Sequence, residues 1–153
     1  MSSSRKAKST LVSYRNESTL PVLRLLDVNL NRAREGLRVI EDVSRFVLNN
    51  QKDSLRLKQL RHRLNRIAVR AYPDLISARD VKHDLGRLTH EKGHHNLNSV
   101  VRANFRRSQE ALRVLEEYAR IISTNAAGEF KKIRYTLYQI EKDVGVVQPL
   151  SIK

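Results

Sequence analysis

Residues Asn29–Arg45, NLNRAREGLRVIEDVSR, and residues Asn104–Arg120, NFRRSQEALRVLEEYAR, are close to one string written twice. At an offset of 75, eight of 17 positions coincide: Asn29/Asn104, Arg32/Arg107, Glu35/Glu110, Leu37/Leu112, Arg38/Arg113, Val39/Val114, Glu41/Glu116 and Arg45/Arg120. Unrelated strings of that length would share about one. Further on, Leu57–Ile67 (LKQLRHRLNRI) matches Phe130–Ile140 (FKKIRYTLYQI) at an offset of 73, retaining Lys58/Lys131, Arg61/Arg134, Leu64/Leu137 and Ile67/Ile140. The chain reads as a tandem duplication of a helical hairpin, which makes the fold all-α with four main helices.

Capping chemistry sets the expected boundaries. Thr19 followed by Pro21 suits the start of the first helix and Asn49-Asn50 its end. Asp53 or Ser54 caps a second helix that stops near Pro73, and Asn96 or Asn98 caps a third that runs to about Asn125. The fourth runs from about Ala127 to Asp143, with Gly145 just beyond. One domain is therefore expected over residues 19–145, its repeats at 19–73 and 96–145 joined by an irregular loop, 74–95. Residues 1–18 read as a disordered, basic, Ser-rich tail, and 146–153 as a second tail.

The composition excludes several classes. With 153 residues the chain is long enough for one cored domain. Five Gly and three Pro are too few for the turns of a many-stranded fold, and the absence of Cys rules out disulfides and thiolate metal sites. No apolar run approaches the roughly 20 residues that cross a bilayer, and the stretch MSSSRKAKSTLVSYR at the N-terminus lacks the apolar run expected of a secretion signal. The expectation is a cytoplasmic protein without membrane contact. A net charge of +14 favours an anionic partner: nucleic acid, a phosphorylated small molecule or an acidic protein.

The polar residues of the first repeat helix fall on one stripe: Asn31, Arg34, Glu35, Arg38, Glu41, Asp42 and Arg45. Such a stripe is often a solvated face held by i,i+3 and i,i+4 ion pairs. Recurrence in both copies argues for more, because solvated charges are interchangeable. Asn29 and Arg32, like Asn104 and Arg107, lie on the apolar side, and Gly36 or Ala111 leaves room four residues after each Arg. Both arginines are expected to be buried, where each needs a carboxylate of the opposite repeat or a bound phosphate.

The loop segment ARDVKHDLG (Ala78–Gly86) holds Arg79, Asp80 and Asp84, and the carboxylates are either turn formers or holders of Mg²⁺ against phosphates. His83, His90, His94 and His95 sit in or near it, as a zinc site or, more commonly, as solvated side chains. Neither GxxxxGK[ST] nor GxGxxG occurs, so a nucleotide has no glycine cradle.

The strings NRAREGLRVIED…RF, LKQLRH, RD…DLG and ANFRRSQEALRVLEEYAR together resemble the helical N-terminal domain found ahead of the barrel in many bacterial thiamine-phosphate synthases. The resemblance covers about residues 22–143. It implies a hydroxymethylpyrimidine-phosphate kinase in thiamine biosynthesis, using ATP and Mg²⁺, with a synthase barrel as partner in cis or in trans. On that reading Arg79, Asp80 and Asp84 are catalytic, and Asp80 and Asp84 hold Mg²⁺. Asn29, Arg32, Glu35, Arg38, Asn104, Arg107, Glu110 and Arg113 face the phosphorylated substrate. The family's loop reads closer to ARDTxGDxGT, from which this chain departs at Val81, His83 and Arg87. The rival readings are a non-catalytic helical partner, a homo-oligomerisation module, and a nucleic-acid binder, the last lacking an aromatic platform.

Overall fold

The structure is a computed structural model that describes residue 11 and residues 17–145. The remainder of both expected tails lies outside the described residues. Among the described residues five helices follow in order: α1 Leu20–Phe46, α2 Gln51–Ala68, α3 Tyr72–Ala78, α4 Leu97–Ile122 and α5 Thr124–Val144. No strand occurs among the described residues. The class is all-α, with one short helix more than the sequence reading expects.

Local chemistry accounts for the boundaries. Pro21 sits in the first turn of α1, where its missing N–H costs nothing. Asn50, not Asp53 or Ser54, caps α2: its Oδ1 accepts from Asp53 N–H at 3.0 Å, and its Nδ2 donates to Asp53 at 2.8 Å. Pro73 opens α3 instead of closing α2, so the stretch expected to be irregular from residue 74 begins as a helix. Asn96 and Ser99 form a reciprocal capping box at the head of α4. Ser123 ends α4 and caps α5 through Ala126 N–H, so these two helices meet at a single residue.

The helices form a closed ring in which α1 packs on α4, α5 on α4, α2 on α1, and α2 on α5, while α3 packs on α1. Leu26, Leu30, Ala33, Leu37 and Ile40 of α1 face Phe105, Leu112 and Leu115 of α4 in one continuous core. Phe130, Ile133, Leu137 and Ile140 of α5, with Leu57 and Leu64 of α2, complete it. Leu11 is buried as well, its N–H donating to Ile67 C=O at 2.9 Å. That corrects the expectation that all of 1–18 is a solvated tail: an isolated leucine gains more by covering the end of α2 than by staying in water.

The centre of the ring is the α1–α4 crossing. A Cβ on Gly36 would collide with Ser108 Oγ and lie 3.1 Å from the Asn104 carbonyl oxygen. Ser108 Oγ in turn donates to the Ala33 carbonyl at 3.4 Å. At the repeat offset, Gly36 and Ser108 correspond to Ala111 and Ala33, so all four residues of the seam are small and buried.

Several contacts recur at the repeat offsets. Asn29 Nδ2 donates to Leu25 C=O and Asn104 Nδ2 to Val100 C=O. Glu41 pairs with Arg61 at 2.6 Å, and Glu116 with Arg134 at 2.7 Å. Burial alone would raise the Glu116 carboxyl, but the Arg134 hydrogen bond and the charges of Arg134, Arg113 and Arg120 outweigh it and hold the group below the usual carboxylate range. Its native form therefore binds fewer protons than its unfolded form near pH 4.

Two outcomes follow from this packing. Gly36→Leu should cost roughly 3 kcal/mol in urea unfolding, whereas Ala111→Gly, across the same seam, should cost about 1 kcal/mol. The stability contributed by Glu116 should be fully present above about pH 5 and fall away as pH drops through the lowered carboxyl value. Glu116→Gln should flatten that part of the pH–stability curve and cost about 3 kcal/mol at pH 7, because Arg134 is left buried without its counter-charge.

Candidate functional site

The first half of α1 presents one face away from α4: Leu20, Arg24, Asp27, Val28, Asn31 and Glu35, at spacings of three and four. The end of α3 and the chain from Arg79 to Asp84 stand opposite it and enclose an open cleft of about 1000 Å³. Leu20, Leu25, Val28 and Val81 supply apolar wall, and Arg24, Asn31, Arg32, Glu35, Asp80 and Asp84 supply polar groups. A concave site with apolar walls and a few convergent polar groups is the usual form of a small-molecule site.

Two attachments hold the loop against α1. The buried Asp27 carboxylate accepts from Arg79 Nε and Nη2, both at 2.7 Å, a bidentate pair. Arg24 Nη2 donates to the Asp80 carbonyl at 3.0 Å. Asp27's hydrogen bonds raise the already high Arg79 value further, so this guanidinium is permanently charged. Arg79 thus borders the cleft as a fixed group.

The loop carboxylates Asp80 and Asp84 both line the cleft. Asp80 meets the His83 ring at 2.8 Å and accepts from His83 N–H at 3.2 Å, and these two bonds, the ring's first, lower its carboxyl value. Asp84 Oδ1 accepts from Gly86 N–H at 2.9 Å, which leaves Oδ2 without a partner among the described residues. No group of three or more His, Asp or Glu poised to share an ion exists among the described residues, including the four loop histidines. Two carboxylates are nevertheless the ordinary protein contribution to a Mg²⁺ whose other ligands are phosphate oxygens and water.

The cleft gathers only part of the residues singled out in the sequence. Asn29, Arg32, Glu35, Arg79, Asp80 and Asp84 line it, whereas Asn104, Arg107, Glu110 and Arg113 of the second repeat do not. Arg38 pairs with Asp42 at 3.2 Å and Arg113 with Glu117 at 2.7 Å, the i,i+4 pairing of a solvated face. Arg32 and Arg107 are exposed, which corrects the expectation that both are buried. The seam slots belong to Asn29 and Gly36, and a long arginine arm placed between them leaves from the edge, carrying its charge to water. Arg32 emerges into the cleft with no hydrogen-bond partner among the described residues, and Arg107 reaches Glu91 at 3.3 Å.

Arg24, Asp27 and Ser77 were not legible as site residues. Arg24 and Asp27 have no like counterpart in the second repeat, where Ser99 and Arg102 stand in their places. That very departure from the repeat was the available signal.

The ThiD2 family profile matches residues 24–143, which include nearly all of the cleft. The chain belongs to the ThiD2 family. Among its relatives, a thiamine-phosphate synthase of Nostoc punctiforme is 46% identical over 126 residues, covering 80% of this chain and 35% of that protein. Another from Synechococcus sp. strain CC9605 is 49% identical over 123 residues, covering 78% and 34% respectively. A third, from Rhodopirellula baltica, is 41% identical over 128 residues, covering 80% and 34%. The chain spans about a third of the length of these relatives. No solved structure matches it. No helix among the described residues is long and apolar enough to cross a membrane.

For this ThiD2 chain the Asp27–Arg79 pair makes an asymmetric prediction. Arg79→Ala strands a buried carboxylate and should cost about 3 kcal/mol. Asp27→Ala leaves a guanidinium that already reaches solvent, and should cost roughly 1 kcal/mol less. Hydrogen exchange through residues 79–90 should accelerate in both variants, because both release the root of the loop.

Proposed function

We propose that this chain acts in thiamine biosynthesis, transferring the γ-phosphoryl group of ATP to hydroxymethylpyrimidine phosphate to form the diphosphate. The observation that carries the reading is the convergence in one cleft of Arg32, which has no partner among the described residues, with two loop carboxylates, Asp80 and Asp84, beside an apolar wall. Membership of the ThiD2 family and the names of the relatives, thiamine-phosphate synthases, supply the pathway.

The chemistry demands little of a protein base. An oxygen of the monophosphate is already anionic; it attacks the γ-phosphorus, the bond to the β–γ bridging oxygen breaks, and ADP leaves with that electron pair. What the reaction demands is positive charge to bring two anions together, and fixed geometry. In this reading Arg32 neutralises phosphate oxygens, while Asp80 and Asp84 would hold Mg²⁺. Bound there, the metal would offset charge on the β- and γ-phosphates. Arg24 and Arg79 fix the loop that carries the two carboxylates, and Leu25, Val28 and Val81 offer an apolar surface to a pyrimidine ring. A synthase barrel, in cis or in trans, would consume the diphosphate. The second repeat is a structural partner to the first in this scheme, because its arginines lie elsewhere.

A coupled assay with the pyrimidine monophosphate, ATP and Mg²⁺ tests the reading. Arg32→Ala should raise KM for the phosphorylated substrate about tenfold, the loss of one charge-assisted contact. Arg113→Ala should leave it unchanged. Asp84→Asn should lower turnover on the order of a hundredfold while the melting temperature stays nearly constant. Absence of turnover and of any ligand-induced thermal shift in the natural protein would favour a non-catalytic helical partner.

A further inference from the structure

Beyond Asp80 the chain runs to Asn96 without a helix, and every residue from Val81 to Asn96 is exposed. Within it, Leu85 is 98% exposed and Leu88 86%. Large aliphatic side chains held so fully in water favour any state that covers them. The segment is nevertheless firmly attached at both ends. Arg79 on Asp27 and Arg24 on the Asp80 carbonyl root it at the start, and the Asn96–Ser99 box fixes its end at α4. Turn hydrogen bonds from Asp84 N–H to Val81 C=O, Arg87 N–H to Asp84 C=O and Thr89 N–H to Gly86 C=O keep the middle compact.

The near end of this segment already belongs to the cleft, through Val81 and Asp84. Across the opening, α1 presents Leu20, Leu25 and Val28, with Leu20 and Leu25 exposed. Two exposed leucines therefore follow, one and four residues on, from Asp84, a loop residue that lines the same cleft as the apolar wall of α1. Charge points the same way. Arg79 and Arg24 are engaged at the root, while Arg87, between the two leucines, has no side-chain partner among the described residues. The far part of the loop is drawn away by Glu91 to Arg107 at 3.3 Å, an exposed ion pair of little weight.

We propose that residues 81–92 are a lid that closes over the cleft when a phosphorylated ligand binds, seating Leu85 and Leu88 on Leu20, Leu25 and Val28 and delivering Arg87 to the phosphates. The proposal rests on the reading of the cleft as a phosphate site. The trigger is differential: the open state offers the ligand Arg32, and the closed state adds a second cation, so binding shifts the population towards closure. Closure also removes water, a competing acceptor in phosphoryl transfer.

Limited trypsinolysis reads the lid directly, since Lys82, Arg87 and Lys92 are exposed cleavage sites within it. The probe is a non-hydrolysable ATP analogue with Mg²⁺ and the pyrimidine monophosphate, with thermal shift recorded in parallel. Cleavage within 81–92 should slow about tenfold at saturation, because proteolysis follows the population of the open form. Leu85→Ser with Leu88→Ser should abolish that protection while the ligand still raises the melting temperature. A thermal shift with unprotected lid sites, or protection unchanged in the double serine variant, would overturn the lid and leave the phosphate site standing. Neither shift nor protection would remove the phosphate site and the lid together. Protection that needs no ligand and grows with protein concentration would assign the leucines to a second copy of the chain and overturn the proposal.

Discussion

The close approach of α1 to α4 at Gly36 and Ser108 is the constraint from which the rest of the architecture follows. Backbones that nearly touch leave no room for side chains at their crossing, so the bulk of the core is displaced outward along both helices, to Leu30, Leu37 and Ile40 on one and Phe105, Leu112 and Leu115 on the other. That bulk is then covered by α2 and α5, which meet each other and close the ring. A wide apolar surface on α1 is consumed in this way, and only its first half keeps a face free of α4. There α3 and the loop pack, and the cleft forms between them.

Charge is handled differently on the two sides of the ring. Although the chain carries +14, many of its arginines are tied to carboxylates: Arg61 to Glu41, Arg56 to Asp53 and Asp143, Arg63 to Glu129, and Arg134 to Glu116. The more buried of these, Arg134–Glu116 and Arg61–Glu41, bring limited net stability, since desolvation offsets the attraction, but they fix which helix lies against which. Arg61 to Glu41 and Arg134 to Glu116 each join the two helices of one hairpin. Around the cleft the balance reverses. Glu35, Asp80 and Asp84 face Arg24 and Arg32, with Asp27 and Arg79 cancelling, so the site is mixed and slightly acidic rather than a basic trough. A mixed site suits a metal–phosphate ligand better than the bare polyanion that the overall charge suggests.

The helical class was legible because it rests on periodicity and on a repeated string, both of which survive local error. The precise ends were not, because several residues competed for each cap: Asn50 outbid Asp53 by lying one turn earlier, and Ser123 served two helices at once. A proline after an apolar run suits a helix stop, but Pro73 equally permits a first turn and opens α3. Residue type and place bring Asp80, Asp84 and Glu35 into view as lining of the candidate cleft, whereas Arg32 is exposed where the helical projection expects it buried. A helical projection gives the direction of a Cβ, not the end of a seven-atom side chain. Asp27 is not legible in the sequence because its partner, Arg79, lies 52 residues away, a pairing that only the turn after α2 brings about.

The repeat explains the scaffold, and the departures from it explain why the cleft is built on one half. Where α1 carries Arg24 and Asp27, α4 carries Ser99 and Arg102 at the same offset. An arginine in place of Asp27 could not accept the two hydrogen bonds that hold Arg79, and would repel it. Likewise Asn31 corresponds to Arg106, a longer and charged group in a position that on α1 lines the wall of the site. Glu41 with Arg61 and Glu116 with Arg134, shared by the halves, tie together the two helices of each hairpin, while Asn29 and Asn104 each donate back to their own helix. Those that hold the loop to the cleft are not shared. Twofold likeness in this chain therefore extends from the packing to part of the cleft lining, Asn29, Arg32 and Glu35, and it is broken where the loop is attached.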